Sequence, residues 1–167
     1  MQSLPRHEPV GLLIGAAVRR IKQAVTARVQ PFGLASRQFW VLVAVLETDG
    51  PSLRELAARL RIDEPTASRV VAALTRRRLV RVEADPGDRR LTRLRATPSA
   101  QALRRGLFAA AAEIRGAVVA GFRPAEEEAL REGLRRVVAN VERFRASAGG
   151  APVRSEKRSA RPKSGAA

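Results

Sequence analysis

Residues 52–97 read SLRELAARLRIDEPTASRVVAALTRRRLVRVEADPGDRRLTRLRAT, and this stretch decides the fold. Its pattern predicts two short helices, a tight junction and a hairpin with a charged tip. Ser52 stands three residues before Glu55, the spacing of a capping box, in which each side chain accepts a hydrogen bond from the backbone of the other residue. Apolar residues follow at the spacing of one helical face, at Leu53, Leu56, Ala57 and Leu60.

A second helix is predicted after Ile62. Asp63 is a favourable N-cap, and Pro65 is tolerated in a first turn, where its missing N–H is not needed. The face that this helix buries consists of Ala67, Val70, Val71 and Leu74, and the opposite face of Thr66, Ser68, Arg69, Arg76 and Arg77. Two short helices joined by about three residues have the spacing of a helix-turn-helix.

The hairpin is predicted from two strand-like runs, 79–84 and 91–96, around a turn at 85–90 that contains Pro86 and Gly87. A hairpin that follows a recognition helix is a wing. From Arg76 to Arg95 there are eight arginines against three acidic residues. A surface this basic suits the phosphate backbone of a nucleic acid.

The motifs that carry a resemblance to a known family lie along all three elements. They are Leu56-Ala57, Thr66-Ala67-Ser68-Arg69, Leu79-Val80-x-Val82, and Asp85-Pro86-x-Asp88-x-Arg90 with Thr97 seven residues later. With them the chain resembles the multiple-antibiotic-resistance regulator (MarR) family of winged helix-turn-helix repressors, over roughly residues 9–147. The resemblance implies a mostly α fold with a small β-wing, a winged helix-turn-helix domain plus N- and C-terminal dimerisation helices. Two positions depart from the family pattern: Arg78 replaces the usual Gly after the recognition helix, and Ala96 replaces the usual Leu before Thr97.

Helical patterns also flank the winged helix-turn-helix, which we place at about residues 36–97. Residues 10–30 form the first helix, and Ser36 is expected to cap a second helix that runs to about Glu47. Thr97 and Pro98 have the pattern of an N-cap and a first helical residue, for a helix to about Gly121. The last helix is predicted to begin at Pro124 and to carry a coiled-coil-like seam at Leu130, Leu134, Val137, Val141 and Phe144.

Three of these helices have apolar faces that the winged helix-turn-helix cannot bury alone. We expect two chains to dimerise through residues 10–30 and 98–147, as the resembled family does. The alternative is an intramolecular helical bundle beside the helix-turn-helix. Residues 1–9 are expected to form an irregular arm and residues 148–167 a disordered basic tail. That tail either adds non-specific DNA affinity or only solubilises the chain.

The composition narrows the classes of function. The chain has 167 residues, a net charge of +16 and a pI near 11.9, which implies a polyanion partner such as DNA, RNA or an acidic membrane surface. The arginine bias of a high-GC genome is the alternative source of part of this charge. The absence of Cys excludes disulfides and thiolate metal sites, and the one histidine, His7, has no partner for a metal or catalytic site. No cofactor is expected. Without a signal-peptide pattern or an apolar run of about 18 residues, we expect a cytoplasmic protein associated with the nucleoid.

The resulting hypothesis is a homodimeric, sequence-specific transcription regulator, a repressor, that reads a pseudo-palindromic operator. Residues near the start of the recognition helix are expected to reach base edges, and those at its end to meet phosphates. By the resemblance, Arg90 enters the minor groove and Asp88 holds it by a salt bridge. The alternatives are helix-end capping for Thr66 and Ser68 and a solvated charge for Arg90. The DNA-binding candidates are Pro65, Thr66, Ser68, Arg69, Arg76, Arg77, Asp88, Arg89 and Arg90.

The resemblance also implies release of DNA by a small aromatic or anionic ligand that binds between the dimer helices and the wing-bearing domain. The candidate ligand-binding residues are Arg37, Phe39, Trp40 and Phe108. For Trp40 a purely structural role is the alternative. The competing function is a nucleoid-associated or RNA-binding protein that uses charge without sequence preference. An enzyme has almost no support, because the chain has no Cys, a single His and no phosphate-binding Gly loop.

Overall fold

The computed structural model describes residues 8–48, 50–85, 87–88 and 91–148. The elements in chain order are α1 (Val10–Val29), a 3-10 turn (Gln30–Phe32), α2 (Ser36–Glu47), α3 (Leu53–Leu60), α4 (Glu64–Arg76), β1 (Val80–Ala84), β2 (Thr92–Ala96), α5 (Pro98–Val118) and α6 (Pro124–Ala148). The chain divides into two compact units, one that ends at Ala120 and one that begins at Gly121. The mostly α fold with a small β-wing confirms the fold class predicted from the sequence.

Three of the predicted helix N-caps are present. Ser52 and Glu55 form the reciprocal capping box, with Glu55 N–H to Ser52 Oγ at 3.2 Å and Ser52 N–H to Glu55 Oε2 at 2.8 Å. Asp63 Oδ1 accepts from the backbone N–H of Thr66 at 2.7 Å, and Thr97 Oγ1 accepts from that of Ala100 at 3.3 Å. These caps satisfy backbone donors that have no partner inside the helix.

The prediction that Ser36 caps α2 was wrong. The N-cap position belongs to Ala35, and Ser36 is the first helical residue. Ala35 has no side-chain acceptor, so only one of the two hydrogen bonds of a capping box can form. In that bond Gln38 Oε1 accepts from the backbone N–H of Ala35 at 3.1 Å. A Gln at the third helical position can reach back to the N-cap whatever residue stands there.

Helix α2 is the centre of the core of the first unit. It packs against α1, α3, α4, α5 and β2. Phe39 and all residues from Val41 to Leu46 are buried. The largest fully buried side chains around it come from the other helices: Leu56, Leu74 and Leu107. A helix buried on nearly all sides fixes the positions of the elements that surround it.

Strands β1 and β2 pair antiparallel, from Val80 opposite Ala96 to Ala84 opposite Thr92. On the apolar face of the hairpin, Val80 and Leu94 are buried in the core. Its base is fixed by Thr97, whose hydroxyl donates to the Arg78 carbonyl at 2.7 Å, and by the Leu94 N–H, which donates to the Pro51 carbonyl at 2.9 Å. The wing is therefore tied to the helices at its root.

The apolar pattern of α1 is only partly buried. Val25 and Val29 lie in the core, whereas Val10, Val18 and Ile21 are exposed. Among the described residues no single helix is long and apolar enough to cross a membrane; residues 10–32 and 36–47 pass that test of length and composition only as a pair, bent by 70°.

Helix α6 is the helix described in the second unit. Leu130, Leu134, Val141 and Phe144 of its predicted seam are exposed, and Val137 is half-buried. Ion pairs spaced along the helix connect Glu128 to Arg131 and Arg135, both at 3.1 Å, and Glu132 to Arg135 at 3.3 Å. The helix thus carries one charged and one apolar surface.

Candidate nucleic-acid interface

The first turn of α4 holds a chain of three side chains. The hydroxyl of Thr66 donates to Asp63 Oδ2 at 2.9 Å and accepts from Arg69 Nη2 at 3.1 Å. The backbone N–H and the hydroxyl of Thr66 hold the pKa of Asp63 below its ordinary value, so that this carboxylate stays charged. Asp63 and Thr66 thus orient the guanidinium of Arg69 at the start of the helix.

The candidates on this turn differ in exposure. Pro65, Ser68 and Arg69 are exposed, as a contact with base edges requires. Thr66 is only 8% exposed, and the structure uses its hydroxyl in the cap and in the support of Arg69. This is the capping role that the sequence left open for Thr66. Asp63 belongs to the same group, although sequence reasoning treated it only as a cap.

The two arginines at the end of α4 have different surroundings. Arg76 is exposed. Arg77 donates from Nη1 to the Gly33 carbonyl at 2.8 Å and to Gln38 Oε1 at 3.4 Å. Arg77 was expected to meet phosphates; the structure places it against the turn between α1 and α2, where it fixes the end of the recognition helix.

Asp85 organises the root of the wing tip, a role that the sequence analysis missed. Its Oδ1 accepts from the backbone N–H groups of Gly87 at 2.7 Å and Asp88 at 3.1 Å, and its Oδ2 from Arg93 Nε at 2.5 Å. Arg93 is the main cause that lowers the pKa of Asp85. An Asp two residues before a Gly in a Pro-Gly turn was the signal for this arrangement, because such side chains commonly bond the backbone two residues on.

Arg93 also reaches across to the helix-turn-helix. Its Nη1 lies 3.1 Å from Glu55 Oε2 in the capping box of α3 and 3.4 Å from the Gly50 carbonyl. The pKa of the Glu55 carboxyl is lowered, first by the backbone N–H of Ser52 and to a lesser extent by Arg93. One side chain thus joins the wing to the start of α3. Arg89 and Arg90 lie outside the described residues; Asp88 is exposed, and its pairing with Arg90 stays a prediction.

A cavity of about 660 Å³ lies beside α2, in the first unit. Two of the four ligand candidates, Arg37 and Trp40, line it. Phe39 does not line it: this side chain is fully buried in the core, with its ring 4.8 Å from that of Trp40 at 67°. Phe108 does not line it either, because it lies on α5, where its ring contacts Arg104. The remaining lining residues are Lys22, Thr26, Ala35, Ser36, Leu60 and Ile62.

Comparison with known proteins places this geometry in a family. Residues 32–91 match the model of the MarR family. The solved structure of BpsR from Bordetella bronchiseptica, a protein whose DNA binding is regulated by 6-hydroxynicotinic acid, is 31% identical, with a TM-score of 0.68 over 81% of this chain and 98% of BpsR. The chain belongs to the MarR family.

Two further proteins similar to this MarR-family chain are transcriptional regulators. The HTH-type transcriptional repressor NicR of Pseudomonas putida is 29% identical over 131 residues, 78% of this chain and 83% of NicR. A MarR-family regulator from Listeria monocytogenes, solved with a 26mer DNA, shares the fold at a TM-score of 0.71 and 23% identity, over 87% of this chain and 98% of that one. The protein is therefore a MarR-family transcriptional regulator, with the winged helix fold through which such regulators bind DNA.

Proposed function

We propose that this MarR-family regulator is a homodimeric repressor that reads a pseudo-palindromic operator. The observation that carries the proposal is the exposed guanidinium of Arg69, held by Thr66 and Asp63 at the end of α4 that reaches base edges in helix-turn-helix proteins. Arg pairs bidentately with the O6 and N7 atoms of guanine, and a fixed side chain loses less conformational entropy on binding. An orientated Arg favours sequence reading over attraction by charge alone.

The wing supports the proposal from the other side of the helix-turn-helix. Arg93 binds Asp85 and Glu55 and so attaches the hairpin to α3. The proposed contact residues Asp88, Arg89 and Arg90 follow Asp85 closely in the sequence. We expect Arg90 to enter a narrow minor groove, where the negative potential attracts arginine. The other exposed candidates for contact with DNA are Pro65, Ser68, Arg76 and Arg77, the last of which also binds the Gly33 carbonyl.

Dimerisation is supported by the apolar surface that the single chain leaves uncovered. Leu12 and Val18 on α1 and Phe144 on α6 are 65%, 58% and 72% exposed. On each helix, exposed apolar side chains at helical spacing are typical of an interface. A two-fold dimer would present two recognition helices to successive major grooves about one helical turn apart.

The cavity beside α2 supports regulation by an anionic aromatic effector. Lys22 and Arg37 supply positive charge, Trp40 an aromatic wall, and Thr26 and Ser36 hydroxyl groups. This combination suits a hydroxylated aromatic carboxylate, and BpsR is regulated by 6-hydroxynicotinic acid. The effector can release DNA only if its affinity for the DNA-free conformation exceeds its affinity for the DNA-bound conformation. Phe39 and Phe108 are not part of this effector site.

The decisive experiment is selection of genomic DNA fragments by the purified protein, followed by sequencing and footprinting. We expect a small set of promoter fragments with a common inverted repeat, and reporter transcription from them that rises when the gene is deleted. Arg69→Ala should change the selected bases. Uniform recovery of all fragments, with the same steep salt dependence for each, would instead support a non-specific nucleoid or RNA-binding protein.

The effector proposal is tested by titration of the DNA complex with 6-hydroxynicotinic acid and with benzoic acid. Release of DNA should depend on Arg37 and Trp40, and Arg37→Gln should require more ligand for the same release. Arg28→Gln is a control with the same change of charge outside this cavity. The control should respond like the wild type. If neither compound binds, or if Arg37→Gln also responds like the wild type, the cavity is not the effector site.

A further inference from the structure

Arg77 connects the end of the recognition helix α4 to residues 30–38, which we call the α1–α2 junction. It is the C-cap residue of α4. Its guanidinium donates to the Gly33 carbonyl at 2.8 Å and to the Phe32 carbonyl at 3.5 Å. A third bond goes to Gln38 Oε1 at 3.4 Å. The end of α4 is therefore held by a side chain that reaches another part of the chain, and not only by the helix backbone.

Gly33 gives the junction the shape that this contact needs. Its φ is +61°, in the left-handed region, and its backbone N–H donates to the Gln30 carbonyl at 2.8 Å. A Cβ at this position would lie 3.4 Å from Arg77 Nη2. The guanidinium therefore lies against the backbone of the turn, where two consecutive carbonyl groups accept from it.

The same turn packs against α5 through the ring of Phe32. A Cβ at Gly106 would lie 2.9 Å from Cε1 and 3.1 Å from Cζ of that ring. Carbon atoms that are not bonded to each other pack at about 3.5–4.0 Å, so a side chain at position 106 would displace the ring. Phe32 thus contacts α5 with its side chain and Arg77 with its carbonyl.

Gln38 connects the junction to the cavity beside α2. Its Oε1 atom accepts from the Ala35 N–H at 3.1 Å as well as from Arg77. Ala35 and Ser36 both line that cavity. A ligand that shifts the start of α2 would therefore also move an acceptor of Arg77.

We propose that Arg77 is a positioning residue for DNA recognition, and that the α1–α2 junction transmits shifts of α5 and of the start of α2 to the recognition helix. This inference rests on the proposed function, because it concerns how α4 presents Arg69 to DNA. Arg69 lies eight residues before Arg77, about 12 Å along the helix, so a small rotation at the held end displaces its guanidinium. Contiguous packed contacts of this kind carry coupling between distant sites.

The link from α5 is tested with two glycine substitutions on that helix. Gly106→Ala and Gly116→Ala make the same change, and within the chain nothing lies within 4 Å of a Cβ at position 116. Only Gly106→Ala should lower the affinity for the operator selected from genomic DNA, by about three- to tenfold, with a smaller loss on a mixed-sequence duplex, in fluorescence anisotropy. Equal losses on both duplexes, or no loss on either, would contradict the link.

A double substitution tests whether the Phe32 ring carries this effect. Phe32→Leu removes the ring atoms that a Cβ at position 106 would meet. In the Phe32→Leu background, Gly106→Ala should therefore cause little further loss of operator affinity, so that the two substitutions are non-additive. Additive losses would show that Gly106 acts by another route.

The positioning role of Arg77 is separated from a phosphate contact by comparing Arg77→Gln with Arg76→Gln. Loss of a phosphate contact lowers the salt slope of DNA binding by about one, and we expect this for Arg76→Gln. Arg77→Gln should keep the wild-type slope and reduce the preference for the operator over the mixed-sequence duplex by about tenfold. A lower slope with an unchanged preference would make Arg77 a phosphate contact and refute the positioning role.

Amide hydrogen exchange of the DNA-free chain tests the link independently of the proposed function. The N–H groups of Arg78 and Leu79 donate to carbonyls of α4 at 2.8 Å and 3.0 Å. They should exchange faster in Gly106→Ala and Arg77→Gln, and at the wild-type rate in the two matched controls. If the wild type binds all duplexes equally while exchange changes as expected, the sequence-specific function fails and the link stands. Unchanged exchange in both variants would overturn the link, whatever the DNA affinities.

Discussion

At the scale of single residues, Arg78 stores backbone strain at the end of the recognition helix. Its φ is +56°, in the left-handed region that costs a side chain about 1 kcal/mol relative to Gly. We predict that Arg78→Gly raises the free energy of unfolding by about 0.5–1 kcal/mol in urea denaturation. Arg76→Gly, inside the helix, should lower it by a similar amount. Stabilisation by both, or by neither, would contradict this account.

Thr66 allows a second prediction at the same scale, since its one hydroxyl connects Asp63 to Arg69. Thr66→Val keeps the shape of the side chain and removes both hydrogen bonds. The helix should remain, because Asp63 still accepts from the backbone N–H of residue 66. We expect operator affinity to fall by about tenfold, with a smaller loss on non-specific duplex, in fluorescence anisotropy. Thr66→Ser restores the hydroxyl and should bind like the wild type; unchanged affinity in Thr66→Val would remove the role assigned to the group.

At the scale of elements, the attachment of the wing to α3 depends on ionised carboxylates. The folded-state pKa of Asp85 lies below 3.8, its ordinary value, chiefly through the hydrogen bond from Arg93. Its contribution to stability is therefore complete above pH 3.8 and is lost as the pH falls through the lower folded-state value. We predict that the order of the wing is independent of pH between about 5 and 8. Protection factors from amide hydrogen exchange at Gly87 and Asp88, followed by NMR, should therefore stay constant over this pH range.

Arg93→Met removes the same attachment at neutral pH. Gly87 and Asp88 should then exchange faster, and DNA affinity should fall, because the wing tip loses its fixed approach to the duplex. Arg93→Lys keeps the charge but not the two-sided reach to Asp85 and Glu55, so an intermediate effect is expected. Slow exchange in Arg93→Met would show that the hairpin backbone alone orders the tip.

The elements also show which features could be predicted from the sequence. The capping box at Ser52 and the cap at Asp63 were predictable, because both partners lie within three residues. The contact between Arg93 and Glu55 joins residues 38 apart, and no local spacing indicates it. Phe39 and Trp40 stand side by side in one aromatic pair; only packing decides that Phe39 enters the core and Trp40 faces a cavity.

At the scale of the whole molecule, the apolar residues of α1 and α6 follow helical spacing whether they face the same chain or another. The sequence therefore predicted that these apolar faces must be buried. It did not predict which of them are buried within the single chain. The structure buries Val25 and Val29 at one end of α1 and leaves Leu12, Leu13 and Val18 exposed. On α6, Leu134 is 41% exposed. The proposed cover is a second copy of the chain, because the pseudo-palindromic operator proposed above would be read by two recognition helices related by two-fold symmetry.

That dimer can be tested on α6 without disturbing the winged helix-turn-helix, because Leu134 is exposed in the single chain. Leu134→Lys should favour monomers: a two-fold interface loses two leucine side chains, or about 3–6 kcal/mol of dimerisation free energy. Sedimentation equilibrium should give twice 18.1 kDa for the wild type and a mass nearer 18.1 kDa for the variant, with loss of operator binding. Ala139→Lys makes the same change of charge on the opposite face of α6 and should remain dimeric. A monomeric wild type that still binds its operator tightly would refute the dimer, and a Leu134→Lys variant that stays dimeric would move the interface away from this seam.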